Sequence, residues 1–144
     1  MTTVRHSVAV NASPDAIEAY SRYADSWSDW FPGVVSVEVD DDYPEVSSTA
    51  QVTFQAAGTT FDLQLTVLEY LPGDRVVYEL QGMAQGQASF SITDENGEKW
   101  VDGAIEYELP GGVLGRIADR AVVEQRVSES LEQALYNLKT GAEG

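Results

Sequence analysis

The chain has no cysteine, one histidine and two lysines among 144 residues. Without cysteine there are no disulfides and no thiolate nucleophile, and classical zinc sites are nearly excluded. A single histidine, His6, argues against a histidine-built metal centre. No apolar run approaches the eighteen or more residues of a membrane-spanning helix, so no integral membrane association is expected. The start, MTTVRHSVAVNAS, lacks the apolar centre of a secretion signal. These absences lead to the expectation of a cytoplasmic protein that needs no metal or other cofactor. At this length a single domain, 1–144, has room for both a core and an internal cavity.

Positive charge is also scarce. Twenty-four acidic residues face eight basic ones, a net charge of −16. Such a chain repels phosphate backbones and anionic lipid, so nucleic acid is not an expected partner. The carboxylates are spread along the whole chain and read as a solvated coat. Together with the shortage of lysine, the pattern is that of proteins from salt-loving organisms. On that reading the unfolding midpoint rises steeply with added salt, and a midpoint indifferent to salt rejects it. Asp40, Asp41 and Asp42 lack the ligand spacing and glycine of a calcium loop and read as a turn.

What is present begins with Pro110 to Gly141, PGGVLGRIADRAVVEQRVSESLEQALYNLKTG. Leu114, Ile117, Ala121, Glu124, Ser128, Leu131, Leu135 and Leu138 recur at spacings of three and four. They predict one amphipathic helix over 113–139, roughly 40 Å long, with Gly141 suited to a left-handed exit. The middle of its stripe is small or polar: Ala118, Ala121, Glu124, Gln125 and Ser128. Two readings stay open here. Either a hollow lies beneath the helix, or Glu124 and Gln125 turn into water while the alanines pack closely.

Upstream, Val4, His6, Val8 and Val10 share one side of a first strand. Ser13-Pro14 then starts a short helix over about 14–21, Ser13 as cap and Pro14 in the first turn. A second helical turn carries Tyr23, Trp27, Trp30 and Phe31. These aromatics are costly to expose and suit either a core or a cavity wall. Six alternating strands follow, over about 34–40, 49–56, 61–67, 76–80, 83–93 and 98–109. Phe54, Phe61, Leu63, Leu65, Tyr78, Phe90 and Tyr107 lie on their apolar faces. Asn96-Gly97 marks a tight hairpin. Gly86, Ala88 and Gly103 are small where a filled core calls for bulk, although a strand glycine also marks bulges and bends.

A sheet with one apolar face needs a covering layer, and only the terminal helix is long enough. The expected class is α+β: a curved seven-stranded antiparallel sheet around a long C-terminal helix, with two short helices between strands 1 and 2. With that order, the stretches NASPDAIEAY, WSDWFPGVVSVEV and YELPGGVLGRIADRAVVEQRVSESLEQALYNLKTGAE resemble the START-related superfamily, in particular its polyketide cyclases and dehydrases. The resemblance covers essentially the whole chain. It implies the helix-grip fold and an elongated apolar cavity between helix and sheet. It implies no particular reaction, because the matched motifs are structural.

Three functions are weighed. The first is binding or transport of a hydrophobic small molecule such as a lipid, isoprenoid or polyketide. Its candidate residues are Trp27, Trp30, Phe54, Phe61, Leu63, Leu65, Tyr78, Phe90, Gly103, Tyr107, Ala121, Glu124, Gln125 and Ser128. The second is a cofactor-free cyclase, dehydratase or aromatase using Tyr78, Tyr107 or a desolvated Glu124 as acid. A serine nucleophile is not favoured, since His6 stands far from any candidate serine in sequence. The third is an interaction protein, a homodimer included, whose core is filled and whose cavity stays below about 300 Å³.

Overall fold

The computed structural model describes residues 1–56, 58–111 and 120–144. Strand β1 (Thr2–Ala9) leads into helix α1 (Pro14–Arg22), a 3₁₀ turn (Ala24–Ser26) and the one-turn helix α2 (Trp27–Trp30). Six strands follow: β2 (Val34–Val39), β3 (Thr49–Ala56), β4 (Thr59–Leu71), β5 (Arg75–Gly82), β6 (Gln85–Glu95) and β7 (Glu98–Glu108). Helix α3 (Arg120–Glu143) closes the described chain.

The strands form one antiparallel sheet in the order β1-β7-β6-β5-β4-β3-β2. Consecutive strands from β2 to β7 pair as hairpins, and β1 lies against β7, with Thr2 opposite Tyr107 and Ala9 opposite Trp100. This is the seven-stranded, helix-gripping architecture expected from the strand count and the single long helix. The chain must cross from one edge of the sheet to the other between β1 and β2, and the short helices occupy that crossing.

Local chemistry explains the joints. Ser13 caps α1, its Oγ accepting from the Ala16 N–H at 3.1 Å, with Pro14 in the first turn. At the β6–β7 hairpin Asn96 and Gly97 both have positive φ, 56° and 87°, as a twisted two-residue turn requires. The Asp40 carboxylate accepts from the Thr49 and Asp42 backbone N–H groups at 2.7 and 3.0 Å, which makes the aspartate run a turn-closing device.

The core lies between the sheet and α3. Leu131, Ala134, Leu135 and Leu138 are all at most 1 % exposed, and Val76 and Val101 belong to the same cluster from the sheet side. One sequence expectation about α3 needs correction. The helix does not exit at Gly141 but runs through it to Glu143. Gly141 is small because the Tyr20 ring of α1 lies on it, and a Cβ there would sit 2.2 Å from the ring. The expected positions Leu114 and Ile117 lie outside the described residues.

Candidate functional site

Above the sheet, the first helices and α3 border a cavity of about 140 Å³. Its wall of aromatics is built by the turn at 24–30. Trp27 packs edge-on against Tyr43 and Tyr78, with both centroid distances 5.9 Å. Trp30 packs edge-on against Phe90 at 6.1 Å, and Phe31 against Phe54 at 6.0 Å. Each indole N–H is spent on the protein itself: Trp27 donates to the Ser21 carbonyl at 2.9 Å and Trp30 to Ser26 Oγ at 3.2 Å. Asn137 of α3 donates to the Trp30 carbonyl at 3.1 Å, tying the aromatic turn to the long helix. The rings therefore face inward with their polar edges already satisfied.

Nine of the sequence candidates line this space: Trp27, Trp30, Phe54, Phe61, Leu63, Leu65, Tyr78, Phe90 and Tyr107. Five do not. Ala121, Glu124 and Gln125 lie on the exposed side of α3. The helix instead presents Val123 and Val127 to the cavity. Ser128 faces His6 on β1, the edge strand of the sheet. Gln125 bonds along the helix to Glu129 at 3.0 Å.

Ser128 is taken by a different partner. Its Oγ lies 3.0 Å from His6 Nε2, and His6 Nδ1 lies 3.6 Å from Glu132. The structure thus joins the lone histidine to a serine and an acid that sequence separation had argued apart. The order of groups resembles a hydrolase triad, but Ser128 sits in mid-helix, where the backbone N–H groups that an oxyanion needs are used by the helix itself. The contact staples β1 to α3. Gly103, the fifth, is buried outside the cavity lining. A Cβ there would lie 3.0 Å from Leu131 Cδ1 and 3.3 Å from Phe90 Cε1, so the leucines of α3 fill the notch that glycine leaves.

Sequence reasoning missed a buried polar cluster beside the cavity. Ser21 and Arg22, the last residues of α1, both line it. Arg22 and Glu18 are an i,i+4 pair with Nη2–Oε2 at 3.3 Å, and their side chains are only 9 % and 14 % exposed. Tyr70 donates its hydroxyl to Glu18 Oε1, and the Arg22 guanidinium lies 5.9 Å from the Tyr70 ring centroid. Arg22 Nη1 donates to Ser21 Oγ at 3.1 Å. Beside them Tyr43 and Tyr78 share a 2.8 Å hydroxyl–hydroxyl bond. Burial pushes both of these phenols well above the ordinary range, while the Arg22 charge pulls Tyr78 part of the way back. In the sequence, Glu18 and Arg22 are indistinguishable from a surface helix pair. The available signal was Ser21, four residues after Ile17 on the buried face.

Sheet, gripped helix and the apolar cavity between them define a helix-grip fold. The chain belongs to the family described as "Polyketide cyclase / dehydrase and lipid transport", whose model matches residues 1–143. Among solved structures it is similar to a protein from Thermus thermophilus, at 18 % identity and a TM-score of 0.80, covering 98 % of this chain and 97 % of that one. It is also similar to the Zhui aromatase/cyclase from Streptomyces sp. R1128, at 15 % identity and TM-score 0.78, covering 99 % and 93 %. A third likeness is to the Aha1 dimer from Colwellia psychrerythraea, at 16 % and 0.64, covering 99 % and 97 %. At these identities the likenesses establish the fold alone. Among curated protein sequences none matches the chain. No helix among the described residues is long and apolar enough to cross a membrane.

Proposed function

We propose that the protein binds a hydrophobic small molecule in the cavity between the sheet and α3. The observation that carries this reading is the lining, which is formed by aromatic and aliphatic side chains almost throughout. Ligand sites are concave and lined predominantly by hydrophobic and aromatic side chains in this way. Burial alone supplies affinity at roughly 25 cal/mol per Å² of apolar surface. About 140 Å³ accommodates a single aromatic ring, as an engineered cavity of similar size, about 150 Å³, does for benzene. A longer ligand requires the aromatic wall to shift.

Two observations support other readings. The family and the aromatase/cyclase likeness suit a cofactor-free cyclase or aromatase, with the Tyr43–Tyr78 pair as its proton-handling group in place of the exposed Glu124. The volume, below the roughly 300 Å³ of ordinary ligand pockets, suits an interaction protein, and a homodimer would serve that reading.

The test starts with solvent extraction of protein purified from its native host, followed by mass spectrometry. A stoichiometric apolar compound is the expected result. In parallel, Ala88→Leu places bulk at the cavity wall, where Ala88 stands opposite Tyr78 and Ile105 on neighbouring strands. This variant should stay folded, at a packing cost of about 1–3 kcal/mol, and lose at least about tenfold in affinity for a single-ring probe such as ethylbenzene. Equal binding by Ala88→Leu and the parent would show that the probe lies elsewhere and would defeat the proposal.

A further inference from the structure

The wall of the cavity offers a ligand shape but no hydrogen bond. Ser21, Arg22, Trp27, Trp30, Tyr78 and Tyr107 all line it, yet almost no polar atom reaches its surface. These groups are occupied from behind. The Trp27 indole donates to the Ser21 carbonyl and the Trp30 indole to Ser26 Oγ. Tyr78 shares its hydroxyl with Tyr43, which stands outside the wall. Ser21 Oγ donates to the Glu18 carbonyl at 3.4 Å and accepts from Arg22 Nη1. Arg22 Nη2 lies against Glu18, and its Nε, although without an acceptor among the described residues, is closed to anything the size of water. Tyr107 is not free either.

The backbone is closed as well. The floor of the cavity comes mostly from β3 to β7, each with a hydrogen-bonded neighbour on both sides. Their N–H and C=O groups are spent in the plane of the sheet. From above, α3 contributes the methyl groups of Val123 and Val127. A ligand hydroxyl or carbonyl placed here would exchange its hydration for nothing. Ring faces are the acceptors that remain, and contacts to them are second-order. Such a wall acts on a polar group as an alkane does, not as octanol, which returns part of the lost hydrogen bonding.

Resting on the binding role proposed above, we propose that the cavity selects hydrocarbon. The part of a ligand that enters it is an unsubstituted ring or chain, and analogues bearing oxygen or nitrogen at that point are rejected. Among the classes weighed for this site, the choice falls on isoprenoid-like hydrocarbon and against the oxygen-rich body of a polyketide. At about 140 Å³ one ring fills the space.

Toluene and phenol test this, because a methyl group is exchanged for a hydroxyl of nearly the same size and shape is held constant. At neutral pH phenol is uncharged. Toluene is titrated into the parent protein by calorimetry, and phenol is measured by its displacement of toluene. Phenol is expected to bind at least about thirtyfold more weakly, the upper end of the ratio that an octanol-like wall would give. A smaller ratio would mean that the wall supplies a hydrogen-bond partner, and would overturn the selection while leaving the binding role intact. If toluene does not bind the parent, or binds Ala88→Leu equally well, the binding role falls and this inference with it. Should Ala88→Leu fail to fold, the two ligands on the parent protein still decide the selection.

Discussion

Gly86→Ala is expected to destabilise the protein by about 3 kcal/mol or more, roughly 10 °C in Tm. Gly86 stands in β6 with φ at +147°, and a Cβ built on it would lie 1.9 Å from the Glu106 carbonyl oxygen and 2.9 Å from the Tyr107 Cα. Those atoms belong to β7, the strand paired with it, where Gly86 is opposite Tyr107. The backbone itself would have to retreat, because no flexible side chain stands in the way. Retreat would also disturb Ala84 and Ala88, two residues on either side, both in the cavity wall. Gly58→Ala is the natural control: its φ is also positive, +75°, but a Cβ there meets nothing within 4 Å, so only conformational strain of about 1 kcal/mol applies. Chemical denaturation of both variants checks the comparison. A loss for Gly86→Ala no greater than that for Gly58→Ala would mean that β6 and β7 separate freely at this point.

That glycine shows where sequence reading stops. Gly86, Ala88 and Gly103 share one property in the sequence, smallness on an apolar face, which suits a hollow or, for the glycines, a bulge or bend. The structure gives three causes. Ala88 does border the cavity, Gly86 is pressed by a neighbouring backbone, and Gly103 receives the leucines of α3. Smallness reports that space is taken or left, and only the partner strand or helix decides which. The fold was legible because it rests on periodicity: alternation gave the strands and turn residues gave the hairpins. The helix spacing gave α3 over the part that is described. The aromatic half of the cavity was legible for the same reason, since side chains on one sheet face must meet under the one covering helix.

The buried polar contacts were not legible, because they depend on which helix sides are covered. The stripe through Ala121, Glu124 and Ser128 follows the spacing of the leucines after it, yet its first members are exposed. Periodicity finds a face but not which part of it is covered. Conversely, Glu18 and Arg22 carry the signature of a solvated pair and are buried because Tyr70, from a strand some fifty residues later in the chain, closes over them. The meeting of His6 with Ser128 spans 122 residues and has no local trace. Contacts of this kind are products of topology, and they are where the chemistry lies.

Raising the pH is expected to unfold the protein cooperatively above about pH 10, with part of its tyrosine ionisation withheld until the fold is lost. Tyr43 and Tyr78 are pushed upward chiefly by burial, and Tyr70 is pushed up to about 12, first by burial and then by donating its hydroxyl to Glu18. An unfolded tyrosine titrates near about 10. Each of these groups therefore holds its proton longer in the folded state, and their stabilising effect is complete below about pH 10. As pH rises further, the unfolded chain binds fewer protons than the folded one, so stability falls. For Tyr43 and Tyr78 together the slope is roughly 2.7 kcal/mol per pH unit, enough to exhaust an ordinary stability of about 5–15 kcal/mol within a few units. Ultraviolet titration should show the exposed members of the seven tyrosines ionising first, and the remainder together with the loss of circular dichroism. In Tyr43→Phe/Tyr78→Phe both hydroxyls of the 2.8 Å bond disappear together, so neither is left buried without a partner. That variant should remain folded at neutral pH and unfold at higher pH than the parent. All seven tyrosines ionising in a single step with the fold intact would show that the Tyr43–Tyr78 pair is open to water, and its burial would have to be redrawn.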